Sequence, residues 1–338
     1  MQKELVSLLT PMYNTEKYVH RLLDSVLRQT YPSIEMIVID DGSTDNSRDV
    51  VSQYMDSFKS KGYILKYAYQ ENSGQSLAIK NGLQMISGEY LAWPDSDDFY
   101  ATDDAIARMV DVLSHSTEEF QMVRTQETLV EDGTLKPIGL FGKDANEEEP
   151  QSLFYDCLYA ENGFFFCPGA YLVRTSTLYK LTSFNIYTDK NAGQNWQLML
   201  PILYKYRCKT IKEPLYNVVV RQSSHSRGQY QGYDALETKF ASYYATQVET
   251  LNRIEGMPDE EVKNHERRLK EKYARQLFKM AITANRLDRL KFQYNILKDI
   301  ESVNNKDRVL AFISVTLRMP IVAKLLMKIS NKLYILTH

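Results

Sequence analysis

From residue 5 to residue 93 the chain alternates short β-branched or apolar runs with segments of helical period: LVSLLT, TEKYVHRLLDSVLRQ, EMIVID, TDNSRDVVSQYMDSF, YILKYAY, SLAIKNGLQMI and YLAW. That alternation confines the chain to the α/β class, with a largely parallel sheet wrapped by helices. In such sheets ligands gather at the carboxyl ends of the strands, where helix N-termini face the crevice. The polar residues fall at those ends. LVSLLT runs into Pro11, Tyr13 and Asn14, EMIVID into Asp40, Asp41, Gly42 and Ser43, and YLAW into Asp95, Asp97 and Asp98. Three strand ends are expected to converge on one site.

The third of these ends, YLAWPDSDDFY, poses a charge problem, because carboxylates on one turn repel unless they are solvated or neutralised by a cation or proton. One reading is a hydrated turn in which Asp98 caps a helix, with Asp103 and Asp104 continuing the acidity. The other is that Asp95 and Asp97 offer hard oxygen ligands to Mn²⁺ or Mg²⁺, which then grips a diphosphate. In IDDGSTDNS one of Ser43, Thr44 and Asp45 caps the following helix. Capping leaves Asp41 unexplained; a carboxylate there can accept the imide N–H of uracil. Tyr13 reads as core or as a stack on the base. Lys80 reads as a solvated helix face or as a charge partner for a diphosphate.

The chain has 338 residues, 43% of them hydrophobic, which suffices for one sizeable core plus an appended unit. Its formal net charge of -2 gives no basic footprint, so nucleic acid is not an expected partner. Cys157, Cys167 and Cys208 are far apart and lack CxxC spacing, which indicates neither a disulfide framework nor a zinc site. With no signal-peptide pattern and no uninterrupted apolar stretch of about 18 residues, a cytoplasmic location is expected. Beyond residue 120, FQMVRTQETLVEDGTLKPIG reads as a hairpin turning at Asp132-Gly133, and the acidic DANEEEP follows it. From about residue 234 long charged helical segments form a helical appendage.

VSLLTPMYN, SVLRQTYPSIEMIVIDDGSTDNS, QENSGQSLAIKNGL and GEYLAWPDSDDFY follow one another in the order and spacing of a known family. The chain resembles the inverting family 2 glycosyltransferases of bacterial surface and capsular polysaccharide assembly. The resemblance implies the GT-A (Rossmann-like) nucleotide-diphospho-sugar transferase fold with a C-terminal helical appendage. Residues 1–230 would form the transferase domain, 1–100 its nucleotide-binding half and 101–230 its acceptor half, with 231–338 the helical region. It further implies that Pro11, Tyr13 and Asp41 hold the base, that Asp95 lies near the ribose with Ser96 beside the donor, and that Asp97 ligates the metal. Lys80 stands where the family often has arginine. LYNVVVRQSSHS looks like the segment that closes the donor site, which would bring Arg221 to the diphosphate and His225 to the metal; His225 reads equally as a plain loop histidine.

The implied reaction moves a sugar from a nucleotide-diphosphate donor, expected to be a UDP-sugar, to a glycan or lipid-linked glycan hydroxyl with inversion. It needs charge stabilisation at the leaving diphosphate and a general base at the acceptor. The family takes that base from a Glu-Asp pair opening a helix, where this chain has Gln194 and Asn195 in NAGQNWQLMLPI. Amides cannot serve. Asp189 is the nearest carboxylate in sequence and, if partly desolvated, would suit the role, leaving Gln194, Asn195 and Trp196 to bind the acceptor sugar. The rival readings are a catalytically degraded sugar-nucleotide-binding partner and, more remotely, a nucleotidyltransferase. Finally, residues 318–338 carry Arg318, Lys324, Lys328 and Lys332 without an acid, with Ile321, Leu325 and Ile329 at helical spacing. This reads as a helix lying on an anionic membrane or as one packing on the body.

Overall fold

The computed structural model describes residues 1–142, 150–221 and 232–316, together with Val322, Leu325 and Met327. The alternating first segment folds as β1 (Gln2–Met12), α1 (Val19–Leu27), β2 (Ile34–Asp41), α2 (Ser47–Gln53), α3 (Met55–Lys61), β3 (Ile64–Gln70), α4 (Gln75–Leu83) and β4 (Gly88–Ala92). β1 pairs in parallel with β2 and β4, and β2 with β3, so the three polar strand ends do share one edge of the sheet. All eight residues of β2 are buried, as a strand covered on both faces requires. α1 buries Val19, Leu22, Leu23 and Val26, the i, i+3, i+4, i+7 stripe of a helix lying on a sheet. The segment after Asp45, which reads as one helix, breaks at Tyr54 into α2 and α3, and the Tyr54 hydroxyl donates to Asp24 on α1.

Glu35 is a fully buried acid near the start of β2. Its carboxylate accepts from Ser7 Oγ at 2.6 Å, Ser87 Oγ at 2.9 Å and Lys66 Nζ at 2.8 Å. Burial pushes this carboxyl up, but Lys66 and the serine hydroxyls outweigh it and hold the group below its ordinary range.

The chain then adds β5 (Phe99–Tyr100), α5 (Ala105–Ser114), β6 (Phe120–Glu131), β7 (Pro137–Phe141), α6 (Pro150–Tyr159), β8 (Tyr171–Arg174), α7 (Thr175–Thr182), α8 (Asn195–Lys205) and β9 (Arg207–Val220). These strands extend the same sheet to nine, in the order β3-β2-β1-β4-β8-β6-β9-β5 with β7 paired to β6. β8 runs antiparallel to β4 and to β6, β9 runs parallel to β6, and β5 is antiparallel to the end of β9. The β6–β7 hairpin turns where the sequence expects, with Gly133 at φ +85°.

The chain divides into two compact units: Met1–Gln222 with Glu249–Gly256, and Ser223–Val248 with Met257–His338. The second contains α9 (Tyr233–Leu251) through Val248, α10 (Asp259–Thr283), α11 (Leu287–Asp299) and α12 (Asn305–Ala311). Its core gathers Phe278, Ala281, Ile282, Leu290, Leu297, Leu310 and Met327. A capping box starts α12: Asp307 N–H donates to Asn304 Oδ1 at 2.9 Å, and Asn304 N–H to Asp307 Oδ2 at 3.2 Å. No helix among the described residues is long and apolar enough to cross a membrane. Of the basic C-terminal stretch only Val322, Leu325 and Met327 are described: Met327 is buried, whereas Leu325 is 55% exposed.

Candidate active site

β4 carries a buried apolar run through Trp93 and then breaks at Pro94, so the chain turns at 95–98 before pairing as β5. The three aspartates of that turn have three different environments. Asp98 is 6% exposed and accepts the Val219 N–H at 2.8 Å, which ties the turn to β9. It is therefore not the hydrated helix cap that the sequence also allowed. Burial first, then the charges of Asp97 and Asp95, push its carboxyl well above the ordinary range. Asp97 forms an ion pair with Arg221, whose guanidinium carbon lies 4.4 Å above the centre of the Tyr18 ring. Asp95 Oδ1 accepts from Gln75 Nε2 at 3.1 Å, and burial followed by the Asp97 charge lifts its carboxyl to about 7. Arg221 thus neutralises one of the acids, and the crowding raises the other two.

The neighbouring strand ends are tied together by side chains acting as caps. Asn14, at φ +51°, donates its N–H to Ser43 Oγ and accepts the Thr44 N–H on Oδ1 at 2.8 Å. Thr15 N–H donates to Ser47 Oγ at 2.8 Å. Pro11 is buried in the last part of β1, and Tyr13 is 45% exposed beyond it, which excludes the core reading of Tyr13. Asp41 is 5% exposed. Its Oδ1 accepts from Gln70 Nε2 at 2.7 Å and Ser73 N–H at 2.9 Å, and its Oδ2 from Gly74 N–H at 2.9 Å. The carboxylate therefore anchors the β3–α4 loop and keeps about one of its four lone-pair sites for anything else.

Gly74 opens α4 at φ +98°, and a Cβ there would stand 2.5 Å from Lys190 O, so the loop before α8 and the start of α4 meet backbone to side. Ser76 Oγ donates to Asp189 O at 3.0 Å in the same contact. Lys80, four residues on, shares the Ser76 face and donates to Asn185 Oδ1 at 3.1 Å; Gln75 lies about 140° round the helix from it. Lys80 therefore meets the 183–190 loop and not the acidic turn.

Several expectations for the acceptor side are corrected. Asp189 is exposed, and its Oδ1 accepts the Asn191 N–H at 3.0 Å, so the partial desolvation expected of it is absent. Trp196 is 7% exposed, donates its indole N–H to Cys157 O at 2.8 Å and packs edge-on against Phe166. That leaves no ring face for a sugar. Gln194 is 1% exposed, with Oε1 buried and unpartnered among the described residues, and Asn195 Oδ1 accepts from Trp93 Nε1 at 3.0 Å. Ser96 is buried in the turn. His225 lies outside the described residues, as does the acidic stretch 143–149. Gln75, Tyr18 and Trp93 are additions that sequence reasoning missed. Gln75 alone had a signal, as the first helical residue after a glycine at a strand end.

Asp95 and Asp97 supply hard oxygens on a turn backed by buried Asp98, a donor set that fits Mn²⁺ or Mg²⁺ as part of a coordination sphere. Among the described residues no group of three His, Cys, Asp or Glu completes it. Phosphate oxygens and water would have to.

A mixed sheet of this order, with an acidic turn at the end of its fourth strand, is a GT-A-like fold. Residues 7–181, more than half the chain, match Glycosyl transferase family 2, and the chain belongs to that family. It is 34% identical over 154 residues to the putative teichuronic acid biosynthesis glycosyltransferase TuaG of Bacillus subtilis, a match covering 46% of this chain and 56% of TuaG. The chain spans between 14% and 56% of the length of the curated relatives it matches. Its fold is similar to that of S. aureus TarS 1-349 in complex with UDP, at TM-score 0.57 and 19% identity over 95% of this chain and 88% of that one. The mannosyltransferase PcManGT of Pyrobaculum calidifontis, solved with GDP-Man and Mn2+, gives TM-score 0.52 at 15% identity over 96% and 88%.

Proposed function

We propose that this protein transfers a sugar from a UDP-sugar to a hydroxyl of a glycan or lipid-linked glycan of the bacterial surface, with inversion and with a divalent cation. The observation that carries this is the acidic turn: Asp97 paired to Arg221, with Asp95 held by Gln75 from the start of α4. In this reading Tyr13 stacks on the base, Pro11 walls it, and Asp41 meets its imide with the lone pair that the loop leaves over. Asp95 and Ser96 lie by the ribose and diphosphate, and Arg221 binds phosphate oxygens. A Mn²⁺ or Mg²⁺ held by Asp97 and Asp95 would supply charge stabilisation for the departing diphosphate. Residues 1–100 bind donor, 101–230 shape the acceptor side, and 231–338 form a separate helical part that docks on an anionic membrane surface.

The acceptor proton goes to Asp189, whose exposure leaves it open to solvent and substrate. Its backbone contact with Ser76, next to Gln75, supports a place beside the donor. Incubation with a panel of UDP-sugars and Mn²⁺ tests the proposal by release of UDP; pyrophosphate instead would indicate a nucleotidyltransferase. Asp97→Asn is expected to abolish UDP release and Mn²⁺-dependent donor binding, and Asp189→Asn to lower turnover roughly 10²-fold while sparing donor binding. Full donor affinity in the Asp97 variant would refute the metal role.

A second reading, a sugar-nucleotide-binding partner without turnover, is favoured by one observation. Gln194 is buried and Asn195 is fixed on Trp93, so the pair that should supply the base is built into structure. Tight UDP-sugar binding with no release of UDP, with or without acceptor glycans, would establish it.

A further inference from the structure

Arg221 is placed by backbone geometry. β5 pairs with β9 through Phe99↔Asn217 and Tyr100↔Tyr216, and the Asp98 carboxylate clamps the Val219 N–H at 2.8 Å. Arg221 follows two residues later and pairs with Asp97 on the acidic turn. Its guanidinium is seated on Tyr18, and Tyr18 is in turn fixed through its hydroxyl to Asp132 Oδ2 at 3.3 Å. The ion-paired side chains are only 15% exposed for Arg221 and 21% for Asp97, so water screens the pair poorly. Among the described residues the guanidinium Nε has no acceptor, which leaves it one donor short of satisfied.

We infer that Arg221 is a built-in competitor of the metal for Asp97, so that metal and donor diphosphate bind together and the metal alone binds weakly. The inference rests on the metal site proposed above. A divalent ion on Asp97 would share one carboxylate with a guanidinium, and two cations crowded there repel. The arginine must therefore leave. Alone, a metal ion offers the departing guanidinium nothing to replace its partner, and a partly buried arginine without one is costly. A diphosphate arriving with the ion gives the planar fork a bidentate acceptor and satisfies the spare Nε. Exchange of Asp97 for phosphate then couples the two ligands, each raising the affinity of the other by the same factor.

The test is Mn²⁺ binding to the full chain, read from the free-ion electron paramagnetic resonance signal, with and without UDP. The parent is expected to bind Mn²⁺ at least roughly tenfold more tightly when UDP is present. Arg221→Gln should bind Mn²⁺ alone roughly tenfold more tightly than the parent and show a smaller gain from UDP. Arg221→Lys, which keeps the charge but lacks the fork, should fall between them, and it serves if the glutamine variant folds poorly. Equal Mn²⁺ affinity of parent and both variants in the absence of UDP would overturn the competition while leaving the metal site standing. No Mn²⁺ binding by the parent even with UDP would overturn the metal site itself, and the competition with it.

Discussion

Glu127 lies on β6 with no exposed surface, and among the described residues neither carboxylate oxygen has a hydrogen-bond partner of good geometry. Burial pushes its carboxyl well above the ordinary range, and the nearby Cys167 thiol and Arg124 charge only partly oppose this. Below the unfolded carboxyl pKa of about 4.3 both states hold the proton, and Glu127 adds no pH dependence. Above it the unfolded chain releases the proton while the folded chain keeps it, so stability falls with rising pH until the raised folded value is passed. The limiting slope is about 1.4 kcal/mol per pH unit. Asp98 and Asp95, also raised, lower stability in the same direction, so urea unfolding at pH 5 and pH 8 should show a larger loss in the parent than in Glu127→Gln; equal losses would mean that Glu127 is ionised in the fold. At this same scale the sequence was least legible. Trp196 next to a polar pair reads as a sugar platform, but whether an indole offers a face or fills a core depends on residues such as Phe166 and Cys157, brought to it only by tertiary folding. For Asp41 the sequence hid a second duty, since most of its acceptor sites are filled by Gln70 and by Ser73 and Gly74, some thirty residues away.

The element that most constrains the donor side is the start of α4. Its first residues present Gly74 to Lys190, Gln75 to Asp95 and Ser76 to Asp189, while Asp41 holds the loop before it. Gly74→Ala meets both a positive φ and a backbone oxygen 2.5 Å away, so the helix start has to shift. A loss of roughly 1–3 kcal/mol is expected in urea unfolding, with weakened UDP binding, since Gln75 moves with the backbone. Parental UDP affinity in a destabilised variant would show that this helix start does not shape the donor site. The elements themselves were largely legible from β1 to β4, where strand and helix alternate in sequence and neighbours in sequence are neighbours in space. Beyond β4 they were not. β9 pairs with β6 across some ninety residues and with β5 across more than a hundred, and no local pattern encodes such a partner.

For the whole molecule, the proposal that residues 318–338 dock on a membrane draws on Arg318, Lys324, Lys328 and Lys332 and on exposed Leu325, while Met327, buried in the core of the helical unit, supports packing within that unit. The full chain is expected to float with phosphatidylglycerol vesicles and to stay down with neutral ones, and Lys324→Glu with Lys328→Glu should abolish flotation. Parent protein that stays at the bottom with both vesicle types leaves only packing. The order of strands carries a consequence for how the chain is made. β1 to β4 come from one continuous stretch, whereas the neighbour of β4 on its other side, β8, begins only at Tyr171. The junction is two residue pairs wide, Tyr90↔Arg174 and Leu91↔Val173. On the ribosome the parallel block can form first, and for on the order of ten seconds of synthesis its β4 edge stands open beside apolar Tyr90 and Leu91. A nascent chain in that interval presents a sticky strand to other unfinished chains, which makes translation speed between residues 92 and 174 a determinant of yield.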